Sequence, residues 1–365
     1  AKEADVDLIC VGTPLKPDTT PDNTALVSAC NSVSEGLKKG DLVIVKSTVS
    51  PGITESVVKP ILESKSGLKA GVDFGLAHVP ERIKEGHAIF EFRTIPRIAG
   101  GIDRRSGKAA AAVFNVFPAP VYVFNSPRIT ETSKLFENVY RDVNIALVNE
   151  LAKICEKIGV NVIEAIGAAN TDPKTHLLTP GPGVGGYCIP KDPYYLIHPS
   201  INAGYKPELI PLARQINDAM PDHVVTLVED AFSEMGIPVR GVRIAILGLS
   251  FKGNSGDLRN TPAIPIIKKL LDLGGDVVAH DPFASFGEIN QAFPKLTCTR
   301  KIDEALKGAK CGVIVTDHLE YGRLKPFEMI KLMGKPAAIV DARHMVDLEE
   351  AVKAGFIYRG VGTPR

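Results

Sequence analysis

The sequence predicts an α/β protein in which two parallel sheets flank a helical centre. Three observations carry this reading. Short apolar runs alternate with helical patterns over residues 1–125. A single helical pattern of unusual length follows, over 126–159, and the alternation resumes from about 239 to the end. Apolar runs of four to eight residues alternating with helices are the signature of strands buried on both faces of a parallel sheet.

Taken in order, DLICVG (7–12) reads as a first strand and NTALVSACNSVSEGL (23–37) as a helix. DLVIVKST (41–48) is a second strand, and ITESVVKPILES (53–64) is a helix that Pro60 should kink or shorten. FGLAHVPE (74–81) is a third strand with Glu81 at its exit, and IPRIAG and VYVF supply two more. Ligands of such sheets sit beyond the carboxyl ends of the strands, where Lys46-Ser47-Thr48 and Pro80-Glu81 fall. Residues 109–127 carry no charge, but Pro118 and Pro120 interrupt them. They read as a helix end, a turn and a buried strand, VYVF, rather than as a membrane span.

The central pattern places Leu135, Val139, Val143, Ala146, Leu147, Leu151, Ile154, Cys155 and Ile158 at helical spacing. At 1.5 Å per residue it runs roughly 45 Å, the length of a spine or an oligomer interface. A second helical run covers 208–236 and is broken by Pro221. Then VRIAILGLSF (242–251), DVVAHDP (276–282), CGVIVTDH (311–318) and AAIVDAR (337–343) read as strands, with a helix over 261–275.

Composition narrows the function classes. The chain has 365 residues, enough for two or three domains. Lys plus Arg is 43 and Asp plus Glu is 42, for a net charge of +1. That balance supports neither a nucleic-acid binder nor a polybasic membrane anchor. The start AKEADVDL lacks a basic-then-apolar leader, and Cys10, Cys30, Cys155, Cys188, Cys298 and Cys311 are scattered with no C-x-x-C pair. Reduced thiols in the cytoplasm, with no zinc site, are the expectation.

The literal G-x-G-x-x-G, at Gly181, Gly183 and Gly186 in TPGPGVGGYCIPKDP, fails as a dinucleotide fingerprint. It follows no strand, and Pro190 and Pro193 forbid a regular helix after it. It reads instead as a loop whose backbone approaches something closely, four glycines removing every Cβ. Cys188 follows, with Lys191 and Asp192 within four residues. An activated thiol and a small buried cysteine in a turn both remain open. Lys134 and Asn138, four apart on the long helix, share a face with Ser133 and Arg141. A solvated helix face is the plain alternative for them, and a loop carboxylate for Glu81, which has Glu85 four residues on. In SFKGNSGDLRNTP (250–262), Gly253, Gly256, Lys252 and Arg259 lie between a strand and a helix, an arrangement that can cradle phosphate.

Together, VGTPLKPDTTPDNTAL, VIVKSTVSPG, VPERIKEG, SKLFENVYRDVNIALVNEL, PGPGVGGYCIPKDP, SFKGNSGDLRNTP and the terminal YRGVGTPR stand in one order. That order resembles the UDP-glucose/GDP-mannose dehydrogenase family from about Val6 to the C-terminus. PER after the third strand, YRDVNIALVNEL and PGPGVGGYCIP point within the family to the branch that oxidises UDP-N-acetyl-D-mannosamine. UDP-glucose and UDP-N-acetylglucosamine or UDP-N-acetylgalactosamine are the alternatives.

The resemblance implies two Rossmann-like domains. The NAD-binding domain would span 1–125, a central helical dimerisation domain 126–238 and a UDP-binding domain 239–365. The family's opening strand, glycine fingerprint and helix have no counterpart in this sequence. A sheet without its first strand would be left unpaired at its centre, so that segment is expected to exist outside the 365 residues. The resemblance also implies a soluble homodimer acting on a UDP-sugar in polysaccharide biosynthesis, by four-electron oxidation with NAD.

By motif, Cys188 would be the nucleophile, forming a thiohemiacetal and then a thioester. Lys134 and Asn138 would stabilise the oxyanion, and Asp192 would act on water with Lys134. Glu81, with Thr48 near it, would assist hydrolysis. Thr13 and Thr48 would line the cofactor side, and Lys191 and Arg259 would neutralise cofactor phosphates. Phe251, Lys252 and Arg343 would hold UDP, the loop with Gly183, Gly185 and Gly186 would pass sugar and diphosphate, and Arg82 and Arg141 would meet the sugar. Three rivals stand beside this. They are a two-electron hydroxyacid dehydrogenase needing no cysteine, a non-catalytic nucleotide-sugar binding protein, and a cysteine hydrolase, for which His176 and His198 are the nearest histidines.

Overall fold

The computed structural model describes residues 2–83, 88–294 and 296–364. Two compact units emerge, Ala1–Tyr140 with Lys191–Ile210, and Arg141–Pro190 with Pro211–Arg365.

In the first unit β1 (Val6–Ile9), β2 (Leu42–Val45), β3 (Gly75–His78), β4 (Arg97–Gly101) and β5 (Val121–Phe124) form one sheet in that order. Neighbours are parallel except β3 and β4. Helices α1 (Thr24–Ser34), α2 (Lys59–Ser66), α3 (Ala88–Thr94) and α4 (Arg104–Phe114) belong to the same unit. The apolar run of β2 is continuous because both its faces are covered. Val43 and Val45 join Leu26, Cys30 and Leu62 of α1 and α2, while Leu42 and Ile44 join Ala110 and Phe114 of α4. Pro60 shortens its helix as expected. A π-helical turn occupies Thr54–Val58, and α2 opens at Lys59, which puts the proline in a first turn where a missing N–H costs nothing. One expectation fails. VYVF is a strand but not a buried one: β5 is the sheet edge, and Tyr122, Val123 and Phe124 are exposed on it.

The middle of the chain holds α5 (Pro127–Ile158), α6 (Val162–Ala169), α7 (Tyr194–Asn202), α8 (Leu209–Asp218) and α9 (Met220–Met235). No helix among the described residues is long and apolar enough to cross a membrane. Pro221 breaks the second helical run as expected and lies in the first turn of α9. After the glycine loop the chain does become helical, but only at α7, once Pro190 and Pro193 are past. The 32-residue α5 follows the pattern expected of it only in part: Leu135, Ala146 and Cys155 are buried. Leu147, Ile154 and Ile158 are exposed, whereas Glu131, Lys134, Asn138, Asp142, Asn144 and Asn149 are buried. Lys134 and Asn138 therefore do not lie on a solvated face. A buried polar face is stable only if its groups are paired. Glu131, for example, accepts the backbone N–H of Gly52 at 2.5 Å and of Thr54 at 2.9 Å.

The second unit is a six-stranded parallel sheet of β6 (Arg243–Leu247), β7 (Asp276–His280), β8 (Thr297–Thr299), β9 (Cys311–Ile314), β10 (Ala338–Asp341) and β11 (Ile357–Gly360). Their order is β11-β10-β9-β6-β7-β8. One face packs Ile244, Ile246, Val313 and Val340 against α9, the C-terminal half of α5 and α10 (Ala263–Asp272). The other packs Ala245, Leu247 and Ile339 against α12 (Ile302–Leu306), α13 (Pro326–Met333) and α14 (Leu348–Ala354), while α11 (Phe286–Ala292) precedes β8. The short β8 and β11 were not evident in the sequence pattern.

Candidate active site

In the first unit the carboxyl ends of β1, β2 and β3 carry the polar groups. The Thr13 hydroxyl donates to the Thr48 carbonyl at 2.7 Å, tying two strand ends together. Tyr195 of α7 donates its hydroxyl to the Thr13 carbonyl at 2.5 Å, and burial pushes that phenol up to about 12, so it stays a donor. Beyond β3, Glu81 Oε1 accepts the N–H groups of Arg82 and Ile83 at 2.8 and 3.0 Å, and Oε2 lies 3.2 Å from the Lys46 ammonium. Burial is the largest influence on this carboxyl and raises it. Lys46 and the two N–H groups together outweigh burial and hold Glu81 below its ordinary range. Glu85 lies outside the described residues.

On α5, Asn138 donates its amide to Asp192 Oδ2 at 2.5 Å. Asp192 Oδ1 is 3.0 Å from the Lys191 ammonium, which also sits 4.2 Å from the centroid of the Tyr195 ring. Lys134 is only 8% exposed, and it makes no hydrogen bond or ion pair among the described residues. A buried ammonium in that state is poised to meet an anionic ligand group. Arg82 is committed within the same unit: it donates to the Pro96 carbonyl at 2.6 Å and pairs with Glu137 at 2.7 Å.

The second unit holds the glycine loop and Cys188. What the loop approaches closely is its own chain. A Cβ on Gly185 would fall 2.4 Å from Phe251 Cβ, and one on Gly186 would fall 2.8 Å from the Phe251 ring. Gly183, in the left-handed region at φ +128°, faces the Asn217 carbonyl and Pro221. Cys188 is exposed, so it is not a small buried cysteine in a turn. Cys30 and Cys311 are the contrast. Burial pushes their thiols up to about 11 and about 12, and they are inert fillers of the two cores. Arg259 pairs with Asp257, and Arg343 donates to the carbonyls of Val315 and Phe251 at 3.0 and 3.5 Å. Arg343 therefore props the loop of Phe251 and Lys252, and Arg141 is partly buried on α5.

Several residues at these sites were not singled out in the sequence. Lys46 was placed at a strand end but given no partner. Tyr195 and Asn260 were not noticed. Nor was the buried set of Asp142, Arg214, Asn217 and Asn149, in which Asn149 accepts the Gly181 N–H at 2.9 Å. The one available signal was Asn138, Asp142 and Asn149 recurring at helical spacing on α5.

Three segments match the UDP-glucose/GDP-mannose dehydrogenase family: its NAD binding domain over 1–118, its central domain over 128–219 and its UDP binding domain over 245–348. UDP-N-acetyl-D-mannosamine dehydrogenase of Pyrococcus horikoshii is 37% identical over 361 residues, 99% of this chain and 82% of that protein. The solved structure from that organism superposes with a TM-score of 0.89 at 36% identity, covering 99% and 82% of the two chains. NDP-N-acetyl-D-galactosaminuronic acid dehydrogenase of Ralstonia solanacearum is 37% identical over 328 residues, 88% of this chain and 75% of that one. A UDP-glucose dehydrogenase structure from Pyrobaculum islandicum gives a TM-score of 0.87 at 28% identity, over 98% and 80% of the chains.

Parallel strands ending in Thr13, Thr48 and Glu81, with a separate UDP-binding sheet, define an NAD-dependent nucleotide-sugar dehydrogenase. The chain belongs to the UDP-glucose/GDP-mannose dehydrogenase family. The residues present fit NAD at the carboxyl ends of β1 and β2, where parallel sheets receive dinucleotides.

Proposed function

We propose that this protein oxidises UDP-N-acetyl-D-mannosamine to UDP-N-acetyl-D-mannosaminuronic acid through a covalent intermediate on Cys188. The buried, unengaged ammonium of Lys134, on the same helix face as Asn138, is the observation that carries this reading. Such an ammonium suits an oxygen that becomes negative during reaction. NAD, when bound, accepts one hydride in each of two oxidations.

The intermediate aldehyde must not escape, and the exposed Cys188 answers that need. Its sulfur adds to the aldehyde carbon, and Lys134, with Asn138 beside it on α5, meets the oxygen that becomes negative. Loss of a hydride from that carbon leaves a thioester. Water then attacks: a C–O bond forms, the C–S bond breaks, Cys188 departs as thiolate, and the proton of water passes to Glu81 or Asp192. Lys191, Arg259, Thr13 and Thr48 serve the cofactor in this reading. Phe251, Lys252, Arg343 and the backbone of Gly183, Gly185 and Gly186 serve UDP and diphosphate, and Arg82 and Arg141 border the sugar. The three domains span 1–125, 126–238 and 239–365.

The reading includes a homodimer or dimer-based oligomer. It is supported by Phe136, Tyr140, Leu147, Ile154 and Ile158, exposed on α5 at spacings of four and seven residues, the stripe of a helix that packs on a partner helix. Sedimentation of Leu147→Asp as a smaller species than the parent tests this. A cytoplasmic place in polysaccharide biosynthesis fits cysteines that, among the described residues, form no disulfide.

The sugar is tested by comparing kcat/KM on UDP-N-acetylmannosamine, UDP-N-acetylgalactosamine, UDP-N-acetylglucosamine and UDP-glucose. The Ralstonia relative, as similar in identity as the Pyrococcus one, favours N-acetylgalactosamine as the second reading. A clear preference for it over N-acetylmannosamine would replace the first.

A further inference from the structure

The turn that leads into α10 holds its backbone in an uncommon shape. Asn260 has φ +47°, one of four non-glycine residues in the left-handed region among those described, with Thr19, Asn254 and His344. That conformation is unfavourable for a residue with a Cβ and persists where surroundings enforce it. At Asn260 the surroundings are the glycine loop. Its Nδ2 donates to the Gly186 carbonyl at 3.0 Å, and the Gly186 N–H donates to the carbonyl of the preceding residue, Arg259, at 2.8 Å. Both polar atoms of one glycine are thus gripped by two successive residues of a single turn. The same turn crowds the neighbouring glycine, since a Cβ on Gly185 would stand 2.9 Å from the Asn260 carbonyl and 3.1 Å from Pro262. Two residues beyond Gly186 lies the exposed Cys188.

We infer that Asn260 is a positioning residue for Cys188. Its left-handed backbone aims the amide at Gly186, and that grip fixes the path by which the loop presents the thiol. A right-handed backbone at residue 260 would turn the amide away and leave Gly186 held by one bond only. The turn carrying Arg259 and the loop carrying Cys188 then behave as one piece. This inference rests on the proposed thiol role, but its test reads the thiol directly.

Asn260→Gly keeps the left-handed backbone at no cost and removes the amide. Asn260→Asp keeps size and backbone tolerance and sets a carboxylate against the Gly186 carbonyl. Asn254→Gly is the control: it too sits in the left-handed region, at φ +57° in the same stretch of chain, and its side chain bonds the Leu319 N–H instead. The rate of alkylation of Cys188 by iodoacetamide, followed by peptide mass spectrometry without substrate, is the first readout. Protection of the buried Cys311 checks that the unit is folded. Both Asn260 variants should change the Cys188 rate and lower kcat by about three- to tenfold, the worth of one neutral hydrogen bond. KM for the UDP-sugar should hold, and Asn254→Gly should match the parent. Unchanged alkylation and kcat in folded Asn260 variants would overturn the inference, as would an equal effect of Asn254→Gly. If Cys188→Ala still completes both oxidations, the thiol role fails, and the alkylation rates alone then judge whether Asn260 holds the loop.

Discussion

Asn138 donates its side-chain amide to the Asp192 carboxylate at 2.5 Å, across 54 residues of chain, with both groups buried. The pair fixes the rotamer of each, while Asp192 keeps its other oxygen for Lys191. A hydrogen bond to an ionised acceptor is the stronger kind, so this pair sets where the α5 polar face points.

Replacing Asp192 by Asn keeps the shape but removes the charge that Lys191 and Asn138 both meet. The expected outcome is a fall in kcat of about 10²- to 10⁴-fold, the range of a lost general acid–base or charge-positioning group, with NADH formation as the readout. Asp192→Glu should recover little, since the 2.5 Å contact has no room for a methylene.

Glu81 gives a pH prediction. Burial alone would raise its carboxyl, and the Lys46 ammonium at 3.2 Å is the main influence reversing that. In Lys46→Met burial wins, and Glu81 stays protonated to a higher pH. The acid limb of the rate profile should therefore move up by about one pH unit or more. Lys46→Arg should restore the parent profile, and profiles of kcat against pH for the three proteins decide it.

Most of the strands and the helical centre were legible because buried parallel strands announce themselves as apolar runs, as LVIV of β2 does. The edge strand VYVF carries the same letters and misled for that reason, since composition does not say whether a helix covers a strand. Cys188 stood out through the glycines before it and the charges after it. Lys46, Asn149 and Asn260 did not, because their value lies in partners 30 to 75 residues away. Asn138 and Lys134 were visible as a pair, but their burial was not. An apolar stripe normally marks the buried face of a helix, and on α5 part of that stripe is exposed.

His78 should make the first unit acid-sensitive. Fully buried, with Nδ1 2.9 Å from the Thr130 hydroxyl, it is held neutral by burial, its pKa pulled down to about 3 from 6.5. Unfolded chains bind a proton there that the folded chain refuses. Its contribution is therefore complete above pH 6.5 and is lost as pH falls toward 3, with a slope of up to about 1.4 kcal/mol per pH unit. His78→Gln should be less stable at pH 7 by about 1–2 kcal/mol yet lose less on acidification. Urea midpoints at pH 7, 5.5 and 4.5 show whether the two curves converge.

Asn149 uses both ends of its amide, accepting from Gly181 at 2.9 Å and donating to Asn217 at 3.0 Å. Asn149→Ala strands a buried N–H and a buried oxygen. It should cost about 2–5 kcal/mol in stability, visible in the denaturation midpoint, with Asn149→Asp no milder, because it keeps the acceptor for Gly181 but sets a buried carboxylate oxygen against Asn217 Oδ1.

The most direct test of the account is the number of NADH molecules released per molecule of UDP-N-acetyl-D-mannosamine consumed, in the parent and in Cys188→Ala. The account predicts two in the parent, a uronic acid product, and arrest of the second oxidation when the thiol is gone. One NADH per sugar in the parent, or two in Cys188→Ala, would contradict it.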